Sequence, residues 1–547
     1  MLTGGRVFSV FTREWLRTDV AIADGHVVGL GEGYRARERV DLGGRHLVPG
    51  FIDAHMHLES SKLLVDQFAR TVVPRGTTAV VVDPHEIANV LGTDGVHWLL
   101  DQCRDLPLAV YVMAPSSVPA SPFESPRRPL TAGDLAALLR RRRVLGVAEM
   151  MNYPGVVAGL PAELEKLRSG LTAHVDGHAP GLTGRGLNAY VAAGIGSDHE
   201  ATTAEEALEK RRLGMWVLLR EASGARNLLD LLPMVREFGP QRCAFCTDDR
   251  EPDFLLGEGH LDQMLRLAVA HGIEPEAALL MATLHPALCH GLPDRGAIAP
   301  GYWADLVVLE DLRQFRPLRV FTQGRDPVYP AIEVPEWVRQ TVHLPPLSAA
   351  TFAIPRPRGP MRVIGVVPGQ LQTTEERLAA TVGDGGAVAD PARDLAKIAV
   401  VERHHASGRA GLGFVTRTGL RRGAFASTVA HDAHNLVVVG MDDEDMVLCA
   451  RRLAELGGGI VVVDGGRVIG ELALPVAGLM SDRPAGEVAA TLTLLQRELG
   501  ERGVTIPAPF MALSFLALSV IPALKLTDRG LVDVTRSQLV PLDTAGR

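Results

Sequence analysis

The segment Val48-Pro-Gly-Phe-Ile-Asp-Ala-His-Met-His-Leu-Glu59 sets two imidazoles, His55 and His57, two positions apart at the end of an apolar run. Residues i and i+2 of a strand project to the same face, so both rings reach one divalent ion where the strand gives way to a loop. Alone, a His-x-His pair is more often incidental. Its weight comes from a series of short hydrophobic runs that end in a histidine or an acid.

Counting from His46–His57, these runs continue as Thr77–His85, Leu108–Ser116, Val144–Asn152, Leu171–Ala179, Val191–His199, Met215–Ser223 and Arg242–Asp249. Helical-looking segments such as Ala132–Arg143 and Ala204–Leu213 lie between them. Strand alternating with helix argues for a parallel sheet buried on both faces, and eight such units make a (β/α)8 TIM-like barrel of the α/β class. Chemistry in that barrel sits at the C-terminal ends of the strands. His55, His57, Glu149, His174, His199 and Asp248 fall there and read as one metal site.

Composition bounds this reading. A chain of 547 residues exceeds one barrel of about 250 and leaves room for a further domain. Its 46% hydrophobic and 22% charged residues are those of a globular protein. A net charge of -8 and a pI near 6.1 leave no footprint for nucleic acid. The run Arg140–Arg143 reads as the solvated end of a helix. The N-terminus lacks the features of a signal peptide, so the cytoplasm is the expected compartment. Five cysteines are no disulfide framework in so long a chain. Cys243 and Cys246 form a CxxC, but i and i+3 of a strand face opposite ways, which points to packing. The cytidine-type zinc signature is excluded too, because Pro240 is not adjacent to Cys243 and the two halves belong to different strands.

The flanks suggest two further units. Short strands and turns in 1–47 and the turn-then-strand unit GAIAPGYWADLVVL after the barrel are expected to pair, giving a composite β-domain of 1–47 and 296–345 around a barrel of 48–295. A proline-rich linker precedes a C-terminal α/β domain at 361–547. Pro509–Leu524 is apolar, but it is interrupted by Pro522 and is shorter than the roughly 20 residues of a spanning helix, so a buried segment and no membrane are expected.

PGFIDAHMHLESS, GTTAVVVDPHEIANV, AEMMNYPGV, HVDGHAPGL, SDHEATTAEEA and CTDDREPDFLLGEGH resemble the bacterial adenine deaminase family of the amidohydrolase superfamily. KIAVVERHHASGR, AHDAHN and PFMALSFLALSVIPALKLTDRG resemble the C-terminal domain of the same family, so the likeness spans nearly the whole chain. It implies two divalent ions, manganese or ferrous iron with zinc also compatible. His55 and His57 would hold one, His174 and His199 the other, with Glu149 between them where many relatives use a carboxylated lysine. Asp248 would touch a metal and shuttle the proton while an activated water attacks C6 of adenine, giving hypoxanthine and ammonia in purine metabolism. A homo-oligomer, a dimer, is implied by the family alone.

Other roles stay open. His85 and Glu86 either contact a metal, orient its ligands or cap a helix, and Arg220, Glu221 and Ser223 are candidates for reading the purine edges. His404, His405, His431 and His434 either close over the site or pack elsewhere. Departures from the family pattern at Glu251, Ala430 and Ala433 leave room for another aminopurine or a cyclic amide as substrate. A remote alternative is a barrel that binds a nucleobase without chemistry, which the full set of competent residues argues against.

Overall fold

The run His46–His57 is two strands, His46–Pro49 and β1 (Phe51–Met56), divided at Gly50. A Cβ at Gly50 would lie 2.0 Å from Oγ1 of Thr78, so only glycine lets the chain pass this close to the next strand. In the computed structural model, which describes residues 1–170, 173–383 and 385–545, Gly50 is where the chain crosses from a flanking β-domain into the barrel. His46–Pro49 pairs antiparallel with Leu306–Leu309, Pro49 opposite Leu306, and parallel with Arg6–Ser9. Glu14–Arg17 and Pro317–Phe321 complete that five-stranded sheet. A second sheet of four short strands shares its core through Val7, Leu47, Val20, Val27 and Leu306.

The barrel strands after β1 are β2 (Thr77–Val82), β3 (Ala109–Ala114), β4 (Val144–Met150) and β5 (His174–Gly177), then β6 (Ser197–Asp198), β7 (Trp216–Arg220) and β8 (Cys243–Cys246). They form a five-stranded and a three-stranded parallel sheet. The Gly196 N–H donates to the Val175 carbonyl at 2.9 Å, joining the two sheets on one side. On the other, Asp248 N–H donates to the His55 carbonyl (3.1 Å) and His57 N–H donates to the Asp248 carbonyl (3.2 Å), which closes β8 on β1. Leu171 and Thr172 of the expected fifth run lie outside the described residues. Val191 and Ala192 belong to the helix Gly184–Ala192, so β6 is only two residues long.

Alternation along the strands sorts side chains between two apolar layers. Ala54, Leu218, Ala244 and Cys246 fill the barrel interior, while Val217, Leu219, Cys243 and Phe245 pack outward against the helices. The CxxC is therefore split between layers, and all five cysteines are buried and unbonded.

The last part of the chain is an eight-stranded, mostly antiparallel sheet running from Met361–Val366 to Arg467–Ala473 in sequence, with helices Asp443–Glu455 and Ala485–Glu501 packed on it. Pro509–Phe515 is a short buried helix, and the chain then reaches the strand Leu524–Thr527. Among the described residues no helix is long and apolar enough to cross a membrane. Phe515, Leu518 and Ile521 from this stretch cover the C-terminal mouth of the barrel.

Candidate metal centre and active site

Glu149, the penultimate residue of β4, stands at the centre of the mouth. Its Oε1 lies 3.2 Å from Nε2 of His57 and 3.8 Å from Nε2 of His55. Its Oε2 lies 2.7 Å from Nδ1 of His178 and 3.4 Å from Nε2 of His199. Asp248, just past β8, brings Oδ1 to 3.1 Å from His57 and 3.8 Å from His55. His57 is aimed from behind, since its Nδ1–H donates to the Asp83 carbonyl at 3.0 Å and frees Nε2 for the centre.

The donor set suits cations. Both ring nitrogens of His55, Oε1 of Glu149 and Nε2 of His178 are buried without a hydrogen-bond partner among the described residues. Such orphans are costly unless something charged meets them. Burial and neighbouring His55 push His199 down to about 3, which leaves a neutral ring with a free lone pair. Burial opposes ionisation of Asp248, but the His57 hydrogen bond and the Arg220 charge outweigh it and hold the carboxyl well below the usual range.

His174 does not belong to this group. It opens β5 rather than closing it, and its Nε2 meets Asp176 Oδ1 at 2.8 Å and Ser197 Oγ at 3.3 Å inside the barrel. His178, four positions later, is roughly 13 Å farther along an extended chain, and it occupies the place expected of His174. Residues 174, 176 and 178 share one face by alternation, so periodicity could not choose between them. The rule that chemistry sits beyond the C-terminal end of each strand favours His178.

Arg220 does not line the metal pocket either. It is 2% exposed, donates to Asp248 Oδ2 at 2.9 Å and to Asn227 Oδ1 at 3.1 Å, and forks onto Glu200. Glu200, which no spacing in the sequence singles out, lines the site beside His178 and His199. Glu221 and Ser223 do not line the metal pocket. The carbonyl of Glu221 accepts from Arg250, and Ser223 Oγ accepts from the Glu251 N–H. His85 lines the pocket, with Nδ1 3.1 Å from Asp83 and 3.7 Å from Glu149. Glu86 lies behind it, accepting from Ser60 Oγ at 2.7 Å.

The C-terminal domain completes the pocket. Asp432 Oδ1 lies 3.4 Å from His85 Nε2, and His431 stacks on Phe515 at 4.7 Å between ring centroids. His434 Nε2 is 3.5 Å from Glu86. His404 and His405 pack elsewhere, against the Ala433 carbonyl and Glu402. Met151, Leu371, Phe515, Leu518 and Ile521 give the pocket an apolar wall.

Residues 46–326 match the Amidohydrolase family model, and with the barrel-mouth cluster this makes the protein a metal-dependent amidohydrolase. Residues 370–538 match the adenine deaminase C-terminal domain. The chain is 46% identical over 550 residues to adenine deaminase 2 of Carboxydothermus hydrogenoformans, covering 99% of this chain and 96% of that one. It is 48% identical over 547 residues to adenine deaminase of Nitratidesulfovibrio vulgaris, covering 98% and 94%. It belongs to the adenine deaminase family.

Proposed function

We propose that the protein hydrolyses adenine to hypoxanthine and ammonia with two divalent ions at the barrel mouth. His55, His57 and Asp248 would hold one ion and His178 and His199 the other, with Glu149 standing between the two groups. The split of the Glu149 carboxylate between two histidine pairs carries this reading. Imidazole and carboxylate donors suit manganese, ferrous iron or zinc, and family membership favours the first two. When bound, such a pair lowers the pKa of a water toward neutrality and supplies a nucleophile at working pH.

The chain's own groups do the rest. Asp248 is ionised, lies against the metal-facing histidines and accepts the proton of the attacking water. A C6–O bond forms, the bond from C6 to the exocyclic nitrogen breaks as Asp248 returns the proton to that nitrogen so that ammonia leaves, and the second water proton passes from oxygen to N1 to give hypoxanthine. Arg220 holds Asp248 in place. The apolar wall fits the faces of a flat heterocycle, while Asp249, Glu200 and His85 supply polar edges. The departures at Glu251 and Ala433 do not argue for another substrate, because Glu251 is tied to Lys62 at 2.8 Å and neither residue lines the pocket. A cytoplasmic homodimer is the assembly we propose, resting on the family resemblance and on buried, unbonded cysteines that fit a reducing compartment.

The test is anaerobic loading with manganese or ferrous iron, with adenine followed by ultraviolet absorbance and ammonia measured in parallel. Equimolar hypoxanthine and ammonia, abolished by a chelator, is the expected outcome. A metal-loaded protein that leaves adenine unchanged would overturn the substrate assignment.

A further inference from the structure

Beneath the catalytic layer a second group of metal-type donors has no part in the reaction. The helix Leu284–Cys289 packs under the barrel, with His285 Nδ1 2.9 Å from the carbonyl of Cys243 at the start of β8. Its last residue and the next, Cys289 and His290, point into the barrel toward His174. Cys289 Sγ lies 3.8 Å from His174 Nε2, and the ligand atoms of His174, Cys289 and His290 all lie within 4.8 Å of one another. For a tetrahedral ion with metal–sulfur and metal–nitrogen bonds of about 2.3 and 2.0 Å, sulfur and nitrogen stand roughly 3.5 Å apart.

The rings are oriented for this. His290 Nε2 lies 2.7 Å from the Ala54 carbonyl, which can only accept, so Nε2 carries a proton and, in the neutral ring, Nδ1 carries the lone pair. That Nδ1 is buried with no partner among the described residues, and so is Oδ2 of Asp176, whose Oδ1 meets His174. Gly196 makes room for the His174 ring, since a Cβ there would stand 3.1 Å from its Cε1.

We propose that Cys289, His174 and His290 bind one thiophilic divalent cation of the zinc class, with Asp176 as the adjacent anion. The site is separate from the catalytic pair and does not depend on the deaminase reading. Its sulfur donor sets it apart chemically: thiolate selects a soft or borderline ion, whereas the nitrogen and oxygen donors of the mouth suit manganese or iron. Binding releases the thiol proton and leaves His174 as the neutral ring with its proton on Nδ1, so that Nε2 exchanges its hydrogen bond to Asp176 Oδ1 for the ion while that oxygen keeps the Ser197 hydroxyl at 2.6 Å. The ion would tie the segment after the eighth barrel unit to β5 and, through His290, to β1.

The test uses the full-length protein stripped of metal, refilled with two equivalents of manganese and titrated with cobalt(II). Cobalt bound to thiolate gives a sulfur-to-metal charge-transfer band, which cobalt exchanged into the mouth cannot give. One further equivalent of metal with that band, both lost in Cys289→Ser and kept in Cys246→Ser, is the expected result. A wild-type protein that takes up no third equivalent and shows no band overturns the proposal, as does a band that persists in Cys289→Ser. The wild-type titration needs no variant to fold, and neither readout depends on turnover.

Discussion

Arg220 donates from Nη1 to Oδ2 of Asp248 at 2.9 Å while Oδ1 of the same carboxylate faces His57 at 3.1 Å. One oxygen of the proposed proton shuttle is thus fixed by a guanidinium and the other is left for the metal side. Replacing Asp248 by Asn should keep most of the metal and lower turnover by ~10²–10⁴-fold. Arg220→Met should lower turnover by a smaller factor and raise the pH at which activity appears, because the carboxyl loses a charge that favours its ionised form. A pH–rate profile that keeps its acidic limb in Arg220→Met would contradict the positioning role.

His178→Asn and His174→Asn separate the histidine just past β5 from the one that opens it. The first should lose about one of the two catalytic ions and nearly all activity. The second should keep both ions and a turnover within about threefold of wild type, since His174 lies off the mouth. Manganese content beside the adenine assay decides it, and a His174→Asn protein that is inactive and short of a catalytic manganese would reverse the assignment.

Lys525 is fully buried where the C-terminal domain backs the site, donating to the carbonyls of Leu371 (2.7 Å) and Phe515 (2.9 Å). Both of those residues line the catalytic pocket. Lys525→Met should loosen the apolar wall and raise KM for adenine on the order of tenfold, about 1.4 kcal/mol of binding. Steady-state kinetics checks this, and a fall in kcat at constant KM would count against it.

Burial and the charge of Asp432 push the Glu124 carboxyl up to about 8 from an ordinary 4.5. Between those values the folded protein binds more protons than the unfolded chain. The contribution of this group is therefore full below the ordinary carboxylate pKa, falls as pH rises, and levels off above about 8. Thermal unfolding of wild type and Glu124→Gln, at fixed metal, should show the glutamine variant gaining relative to wild type from pH 5 to about 8.5. A constant difference across that range would remove Glu124 as the cause.

By itself the sequence determined the barrel, and it pointed to most of the residues that gather at the barrel mouth. These are local signals: alternation in strands such as Cys243–Cys246, a His-x-His at the end of β1, and acids where β4 and β8 stop. Each depends only on which way successive side chains point and on where an apolar run ends. Only the tertiary structure decided between His174 and His178, because both share a face and differ in depth along the barrel axis. The same holds for Arg220, which sequence assigns to a strand end and which the fold buries between Glu200 and Asp248. The closing of the site by Asp432, His431 and Phe515 comes from residues more than 180 positions beyond the last barrel strand. Nothing in the spacing of one chain encodes that contact. It arises when the C-terminal sheet docks and removes the barrel mouth from water.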